Sequence, residues 1–262
     1  MNNNDTVFVA SGARTPMGGL QGSLSNLSAV DLGAIAIKEA ITRAGITGDE
    51  IDETIMGCVL SSGLRQAPAR QAAMKAGIPV TSGATTINKL CGSGMKAAML
   101  AHDLIKAGTN NIMVAGGMES MTNSPYLLMK GREGMRMGHG EIQDSMFTDG
   151  LEDAASGRSM GSFAQEVADR YQLTREEMDE FAIQSLKRAQ SAIDSSSLKA
   201  EIVPITMATR KGEICIPDDE QPHKADISRI PKLLPAFKED GTVTAANSSS
   251  ISDGAAFTLL SK

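Results

Sequence analysis

The sequence has 262 residues, 41% hydrophobic and 21% charged, the make-up of an ordinary globular chain with enough length for one large domain or two small ones. A net charge of −6 excludes a general nucleic-acid surface, since phosphate binding needs a basic field, but leaves room for a local basic pocket holding one phosphorylated cofactor. Three widely separated cysteines, Cys58, Cys91 and Cys215, show no paired spacing, which argues against a disulfide framework or a zinc site. The first residues lack a basic region followed by a long apolar run and no stretch approaches a membrane span, so a cytoplasmic protein is expected.

Aromatic residues are scarce (6 Phe, 2 Tyr, no Trp) and small ones abundant, which favours close helix–sheet packing and an α/β fold. In chain order, residues 6–10 read as a buried strand and 11–16 as the loop leaving it, kept irregular by Gly18, Gly19 and Gly22. A helix over 29–44 has Ser28 as its N-cap and Gly45 just past its end. Residues 54–60 suit a strand carrying Cys58 as a core residue, and 68–76 a short helix with Pro68 in its first turn and Gly77 at its exit. The β-branched run 84–88 predicts another strand, the helix formers 95–106 a helix ending at Gly108, and 111–115 a further strand. Four strand–helix alternations predict a parallel or mixed sheet with helices on its faces, where ligands sit at the carboxyl ends of strands.

Beyond residues 116–121 the pattern changes. The Gly- and Met-rich stretch 122–157 has few periodic signals, and a loop of that length is expected to be a lid or contact segment. Helices over 160–171 and 175–193 follow, the second opened by a capping-box pair, Thr174 and Glu177. Residues 201–205 read as a strand joined by a turn at 211–213 to 214–216; 218–232 is polar and irregular, and 255–261 is a last strand.

The sharpest chemical signal is the turn Lys89-Leu90-Cys91-Gly92-Ser93-Gly94 between a strand and a helix. It presents a sulfur at a helix N-terminus, where backbone N–H groups lack internal partners and the positive end of the dipole favours the nucleophilic thiolate form. The glycines allow another backbone or a ligand to approach. Cys91 is therefore a candidate acyl-accepting nucleophile, although a free cysteine is more commonly a small buried hydrophobe. His102, His139 and His223 are far apart and form no HxxH or HExxH spacing, so no metal site is expected; His102 lies too far along the helix to serve Cys91, while His139 and His223 fall in loops that could reach a ligand. The acidic pairs Glu176-Glu177 and Asp179-Glu180 read as a solvated helix face.

Ile87-Asn88-Lys89-Leu90-Cys91-Gly92-Ser93-Gly94-Met95-Lys96-Ala97 closely resembles the nucleophile motif of the biosynthetic thiolases, the acetyl-CoA acetyltransferases. Arg14-Thr15-Pro16, Ala67-Pro68-Ala69-Arg70-Gln71-Ala72-Ala73, Val114-Ala115-Gly116-Gly117-Met118-Glu119-Ser120-Met121, Gly241-Thr242-Val243-Thr244-Ala245-Ala246-Asn247 and Asp253-Gly254-Ala255-Ala256 resemble thiolase blocks in the family's order. The resemblance implies a thiolase-like layered α/β fold, a mixed five-stranded sheet flanked by helices, of which this chain would be the N-terminal half. Residues 1–118 and 251–262 would form the core domain, and 119–250 an inserted loop domain that binds coenzyme A and makes oligomer contacts. It further implies that Cys91 is acetylated by acetyl-CoA and that a second acetyl-CoA, deprotonated at its methyl carbon, attacks the thioester to give acetoacetyl-CoA. Fatty-acid metabolism would be the setting.

By matched position Met160, Phe237, Ala245 and Ser249 resemble contacts to the pantetheine arm of coenzyme A. Two positions depart from the family pattern: Ser159-Met160 stands where many relatives have His-Met, and His223 where they often have an arginine near the adenine end. Coenzyme A and acetyl-CoA would be substrates, with no bound cofactor and no metal, nucleic-acid or membrane partner. Dimers are expected, paired into tetramers through residues 129–140, or else a separate C-terminal half as partner. The Asn-Glu-Ala-Phe, Gly-His-Pro and Cys-x-Gly motifs of the family's second half do not occur before Lys262, so the chain alone is expected to be inactive. The alternative is a non-catalytic half-thiolase that binds acyl-CoA or only dimerises.

Overall fold

The computed structural model describes residues 6–210 and 212–262, so Lys211 of the expected 211–213 turn lies outside the described residues. Strand β1 (Phe8–Arg14) and the two-residue β2 (Gly18–Gly19) lead to helix α1 (Ala29–Ala44). Then β3 (Glu53–Gly57), α2 (Pro68–Lys75), β4 (Gly83–Ile87), α3 (Ser93–Lys106) and β5 (Ile112–Ser120) alternate as expected. The central sheet runs β1-β10-β5-β3-β4, where β10 (Ser252–Ser261) closes the chain and β2 adds a sixth, short strand against it. Pairings of β3 with β4 and β5 are parallel, while β10 is antiparallel to β1, β2 and β5, so the sheet is mixed.

Period-2 alternation along the middle strands builds two cores. Val114, Met118, Met56, Phe257 and Leu259 face α1 and α2, packing on Leu32, Ala36, Ile37 and Ala72. Met113, Ala115, Ile55 and Leu260 face the other way, onto Ala97, Ala101 and Ile105 of α3. At every fourth residue along the seam α3 carries Ala97, Ala101 and Ile105, and the two alanines let the helix lie close to the sheet. α1 is started by a capping box between Ser28 and Asp31 and stopped by Gly45 at φ 70°, a left-handed position glycine adopts without strain.

Several expected boundaries move, each for a packing reason. Residues 11–14, expected as loop, continue β1: Ser11 to Arg14 pair with Leu259 to Ala256 past a bulge, and the Ser11 hydroxyl donates to the Ala40 carbonyl at 2.6 Å. Likewise β5 runs through Gly116 and Gly117 to Ser120, because this stretch pairs with β10 from Phe257 back to Asp253; glycine is required at 116, where a Cβ would lie 2.1 Å from the Ala256 carbonyl oxygen. β10 begins at Ser252 rather than 255, since Ser252 and Asp253 pair with Gly19 and Gly18.

Between β5 and β10 lie a 3-10 turn (Met121–Asn123), the short ladder of β6 (Tyr126–Leu127) and β7 (Gln143–Asp144), and a π-helical turn (Phe147–Leu151). Helices α4 (Met160–Arg170) and α5 (Arg175–Asp194) follow as expected. The strand expected over 201–205 is displaced to β8 (Ile205–Thr209), which pairs with β9 (Gly212–Ile216), while Ile202 makes only an isolated bridge to Arg14. Ile205, Met207 and Ile216 pack against the α1-side core, and that burial sets the register. The stretch 218–232, expected to be irregular, contains helix α6 (Glu220–Lys224) and a 3-10 turn (Ile227–Lys232), so His223 sits on a helix rather than in a loop.

Candidate active site

The elbow carrying Cys91 begins where β4 ends. Leu90 has φ 48°, a left-handed conformation that a bulky residue adopts only when its surroundings force it, at a cost on the order of 1–3 kcal/mol. Ser93 supplies the force. Its buried hydroxyl accepts the Lys89 amide at 2.8 Å and donates to the Leu90 carbonyl at 2.6 Å, bracing the turn from inside. The Ser93 amide also donates to the Leu90 carbonyl at 2.9 Å, the Gly92 amide to the Lys89 carbonyl at 3.1 Å, and the Leu90 amide to Asn88 Oδ1 at 2.9 Å. Cys91 stands exposed at the crest, two residues before the first turn of α3, whose amides have no intrahelical partner.

Glycines press this elbow onto the sheet. Gly57, the last residue of β3, lies so close that a Cβ there would sit 2.5 Å from Ser93 Cβ. A Cβ on Gly117 would lie 3.4 Å from the Gly94 Cα. Of these, the sequence pointed to Gly92 and Gly94; the contribution of Gly57 and the bracing by Ser93 are long-range or side-chain effects that the motif alone does not display.

The other cysteines differ. Cys58 is buried, as expected of a core residue, and burial, together with the neighbouring Glu119 carboxylate, pushes its thiol up to about 12. Glu119 accepts the Val59 and Leu60 amides at 2.8 and 3.1 Å and so fixes the chain leaving β3; burial nonetheless raises its carboxyl above the ordinary range. Cys215 is exposed on β9, and His102 is exposed on α3 with Nδ1 3.0 Å from Asp103. Among the described residues no cluster of three or more His, Cys, Asp or Glu side chains is placed to hold a metal ion. No described helix is long and apolar enough to cross a membrane.

A groove of about 1080 Å³ opens between α5, α6, the 227–232 turn and residues 245–250. Phe181, Leu186, Ile230 and Leu233 give it apolar walls, and Lys224 and Arg229 bring positive charge. Ala245 and Ser249 are among the residues that line it. Ser159, Met160 and Phe237 lie outside the lining: Ser159 caps α4 by accepting the Ser162 amide, and the Phe237 ring rests on Gly161, beside Met160, where a Cβ would come within 2.2 Å of it. His223 is exposed on α6 and does not line the groove, although Pro222 and Lys224 on either side of it do.

One buried network joins three walls of the groove. Asp179, read from sequence as part of a solvated face, is instead buried, because its α5 face is covered by the 242–250 segment. It pairs with Arg175 at 2.6 Å and accepts the Asn247 amide side chain at 3.1 Å. Arg175 in turn donates to the Ile230 and Leu233 carbonyls at 3.1 and 2.8 Å, and Asn247 accepts the Thr244 amide at 2.7 Å. Glu177 caps α5 through Thr174, as its spacing predicted.

The family model described as thiolase, N-terminal domain, matches residues 7–262. The chain belongs to the thiolase family. It is 47% identical over 256 residues to the mitochondrial acetyl-CoA acetyltransferase A of Xenopus laevis, covering 97% of this chain and 60% of that protein. An acetyl-CoA acetyltransferase of Pseudomonas aeruginosa is 46% identical over 258 residues, covering 98% of this chain and 65% of its own length. A thiolase from Ascaris suum, solved in complex with coenzyme A, has the same fold, with a TM-score of 0.91 at 38% identity over 98% of this chain and 65% of that one. The layered thiolase fold with its mixed sheet is thus the fold of this chain, which spans about three-fifths to two-thirds of the length of these relatives.

Proposed function

We propose that this thiolase chain is the nucleophile-bearing part of an acetyl-CoA acetyltransferase, which condenses two acetyl-CoA to acetoacetyl-CoA or runs the reverse thiolysis. The observation that carries this reading is the braced elbow: a strained Leu90 and a buried Ser93 hold an exposed Cys91 at the start of α3. The Cys91 thiolate attacks the acetyl carbonyl of acetyl-CoA, the Cys91 amide, which unlike those of Lys89, Leu90, Gly92 and Ser93 is not used to brace the turn, donates to the tetrahedral oxyanion, and the bond to the coenzyme A sulfur breaks to leave acetyl-Cys91 and a coenzyme A thiolate. Carbon–carbon bond formation then needs a base to take a proton from the methyl carbon of the second acetyl-CoA. His102 is exposed along α3, His139 lies in an exposed loop and His223 on α6, and in this reading none of them is assigned that role.

In this reading residues 1–118 and 251–262 are the core domain and 119–250 the inserted loop domain. The groove takes coenzyme A, with Ala245 and Ser249 along the pantetheine arm and Lys224 and Arg229, rather than His223, toward its phosphates; Ser159, Met160 and Phe237, outside the groove's lining, would meet the ligand only where it extends beyond the groove toward α4. The family's second half would cover the outer face of α3, where Met95 and Met99 are exposed, and Met129, Met135 and Met137 would serve assembly into dimers and tetramers. The test is thiolysis of acetoacetyl-CoA by free coenzyme A, with the chain alone and with a C-terminal half from a relative added. No turnover alone, turnover with the added half, and none with Cys91→Ala are expected; equal turnover by Cys91→Ala would refute the reading.

A further inference from the structure

Two adjacent carboxylates at the start of α6 are bound to the glycine-rich segment that follows β1, far away in sequence. Glu220 Oε2 accepts three donors, the Gly19 amide, the Ser23 amide and the Ser23 hydroxyl, each at 2.9 Å, while Oε1 pairs with Lys224. Its side chain is 8% exposed. The seat is fitted: a Cβ on Gly22 would lie 2.2 Å from Glu220 Oε2. Beside it, Asp219 takes both terminal nitrogens of Arg14 at 2.7 and 3.0 Å and the Met17 amide at 2.8 Å, and the Glu220 amide donates to the Met17 carbonyl at 2.9 Å.

What these anchors hold is one wall of the groove. Met17, Asp219, Gln221, Pro222 and Lys224 all line it, while Glu220 faces away into its seat. The Gln190 side chain on α5 donates to the Pro222 carbonyl at 2.9 Å, so α6 spans from the seat to the opposite wall. With only five residues, α6 has little helical stability of its own, and its place depends on what it is tied to.

We propose that Glu220 is a positioning residue of the groove: seated among Gly19, Gly22 and Ser23, it fixes α6 as a wall and so sets how tightly a coenzyme A-type ligand is held. This rests on the reading of the groove as the coenzyme A site. A preformed wall spares the ligand the entropy of ordering it, and a neutral or displaced side chain gives up the charge-assisted bonds that hold it. Gly19 and Gly22 thereby gain a role that local loop geometry did not supply.

The test compares the whole chain with Glu220→Gln, Gly22→Ala and the double variant, at a temperature where all are folded. Coenzyme A affinity is measured by titration calorimetry, backbone protection by hydrogen exchange, and the elbow by the rate of Cys91 alkylation with iodoacetamide. Each single variant is expected to weaken coenzyme A binding roughly tenfold, with the double variant no worse than the singles because both break one contact. Residues 17–23 and 219–225 should lose protection together, and Cys91 alkylation should stay within about twofold, which a general loosening of the fold would not allow. If the single variants do not fold, Ser23→Ala, which removes one donor, is measured in their place, with the same pattern expected at about two- to threefold. Unchanged affinity, or unchanged protection of 219–225, overturns the proposal. If the unsubstituted chain binds no coenzyme A, it is the coenzyme reading that fails; the seat is then decided by exchange alone, joint loss of protection upholding it and unchanged protection overturning it.

Discussion

Replacing Gly57 by alanine tests whether the sheet positions the nucleophile. The new Cβ would lie 2.5 Å from Ser93 Cβ, 2.7 Å from the Ser93 carbonyl carbon and 2.8 Å from the Gly94 nitrogen, all in or beside the elbow backbone. Relief to ordinary contact requires a shift of roughly 1 Å, in a place where Ser93 is buried and cannot swing away. Overpacking of this kind costs about 1–3 kcal/mol, which for a chain of this size lowers the melting temperature by roughly 3–10 °C. A misplacement of about 1 Å can also slow chemistry by about 10²-fold, so acetyl transfer to Cys91 should fall further than stability does. The control is Gly94→Ala, on the nucleophile motif itself. There the nearest atoms to a new Cβ are 3.6 Å away, and alanine is favoured over glycine in a helix by up to about 1 kcal/mol, so stability should hold or rise. Calorimetric melts and the rate of acetyl transfer from acetyl-CoA measure both variants. A Gly57→Ala chain that melts and reacts like the unsubstituted one, or a Gly94→Ala chain that is the worse of the two, would show that Gly57 does not seat the elbow.

Three further outcomes are expected. Ser93→Ala leaves the Lys89 amide without its acceptor and releases the strained Leu90; a loss of about 1–3 kcal/mol in urea unfolding, with slower Cys91 acetylation, should follow. Asp179→Ala removes the acceptor of Arg175 Nε and one of two acceptors of the Asn247 side-chain amide, while Arg175 keeps the Ile230 and Leu233 carbonyls, so the loss should be about 3 kcal/mol, the low end for one side of a buried pair; coenzyme A affinity, measured at a temperature where the variant is folded, should fall with it. Glu220 is held at about 2, below its ordinary 4.5: burial raises it, but the hydrogen bonds from Lys224, Ser23 and Gly19 more than offset that. A depressed carboxylate stabilises above its unfolded value and loses that stabilisation as pH falls from about 4.5 toward 2, roughly 2–3 kcal/mol once the exposure of Lys224 is allowed for. Urea unfolding between pH 6 and about pH 2.5 measures it, and Glu220→Gln should flatten that dependence.

What was legible in the sequence was what rests on local pattern. The alternation of α1, β3, α2, β4, α3 and β5, the capping residues Ser28 and Thr174, and the strand–turn–helix around Cys91 all follow from periodicity, caps and glycine placement. What escaped depends on contacts between distant segments. Ser11 to Arg14 look like loop because nothing local shows that β10 will pair with them, and Gly116 looks like a break until the Ala256 carbonyl is seen against it. Asp179 looks solvated on its own helix and is buried only because Asn247 and Thr242 arrive from 63 or more residues away. The seat of Glu220 is of the same kind, joining residues about 200 apart, 197 for Ser23 and 201 for Gly19. The candidate site divides the same way: the strand–turn–helix that exposes Cys91 shows in the local pattern, whereas the bracing of the turn by the Ser93 side chain and the anchors of the groove walls, which come from distant segments, do not.

Whether the elbow makes Cys91 an acyl acceptor is decided by intact-protein and peptide mass spectrometry after exposure to acetyl-CoA. The expected result is one acetyl group per chain, on Cys91 alone, removed by excess free coenzyme A and absent in Cys91→Ala. An acetyl group carried by Cys215 in place of Cys91, or none on Cys91 after prolonged exposure of the folded chain, would show that the elbow does not.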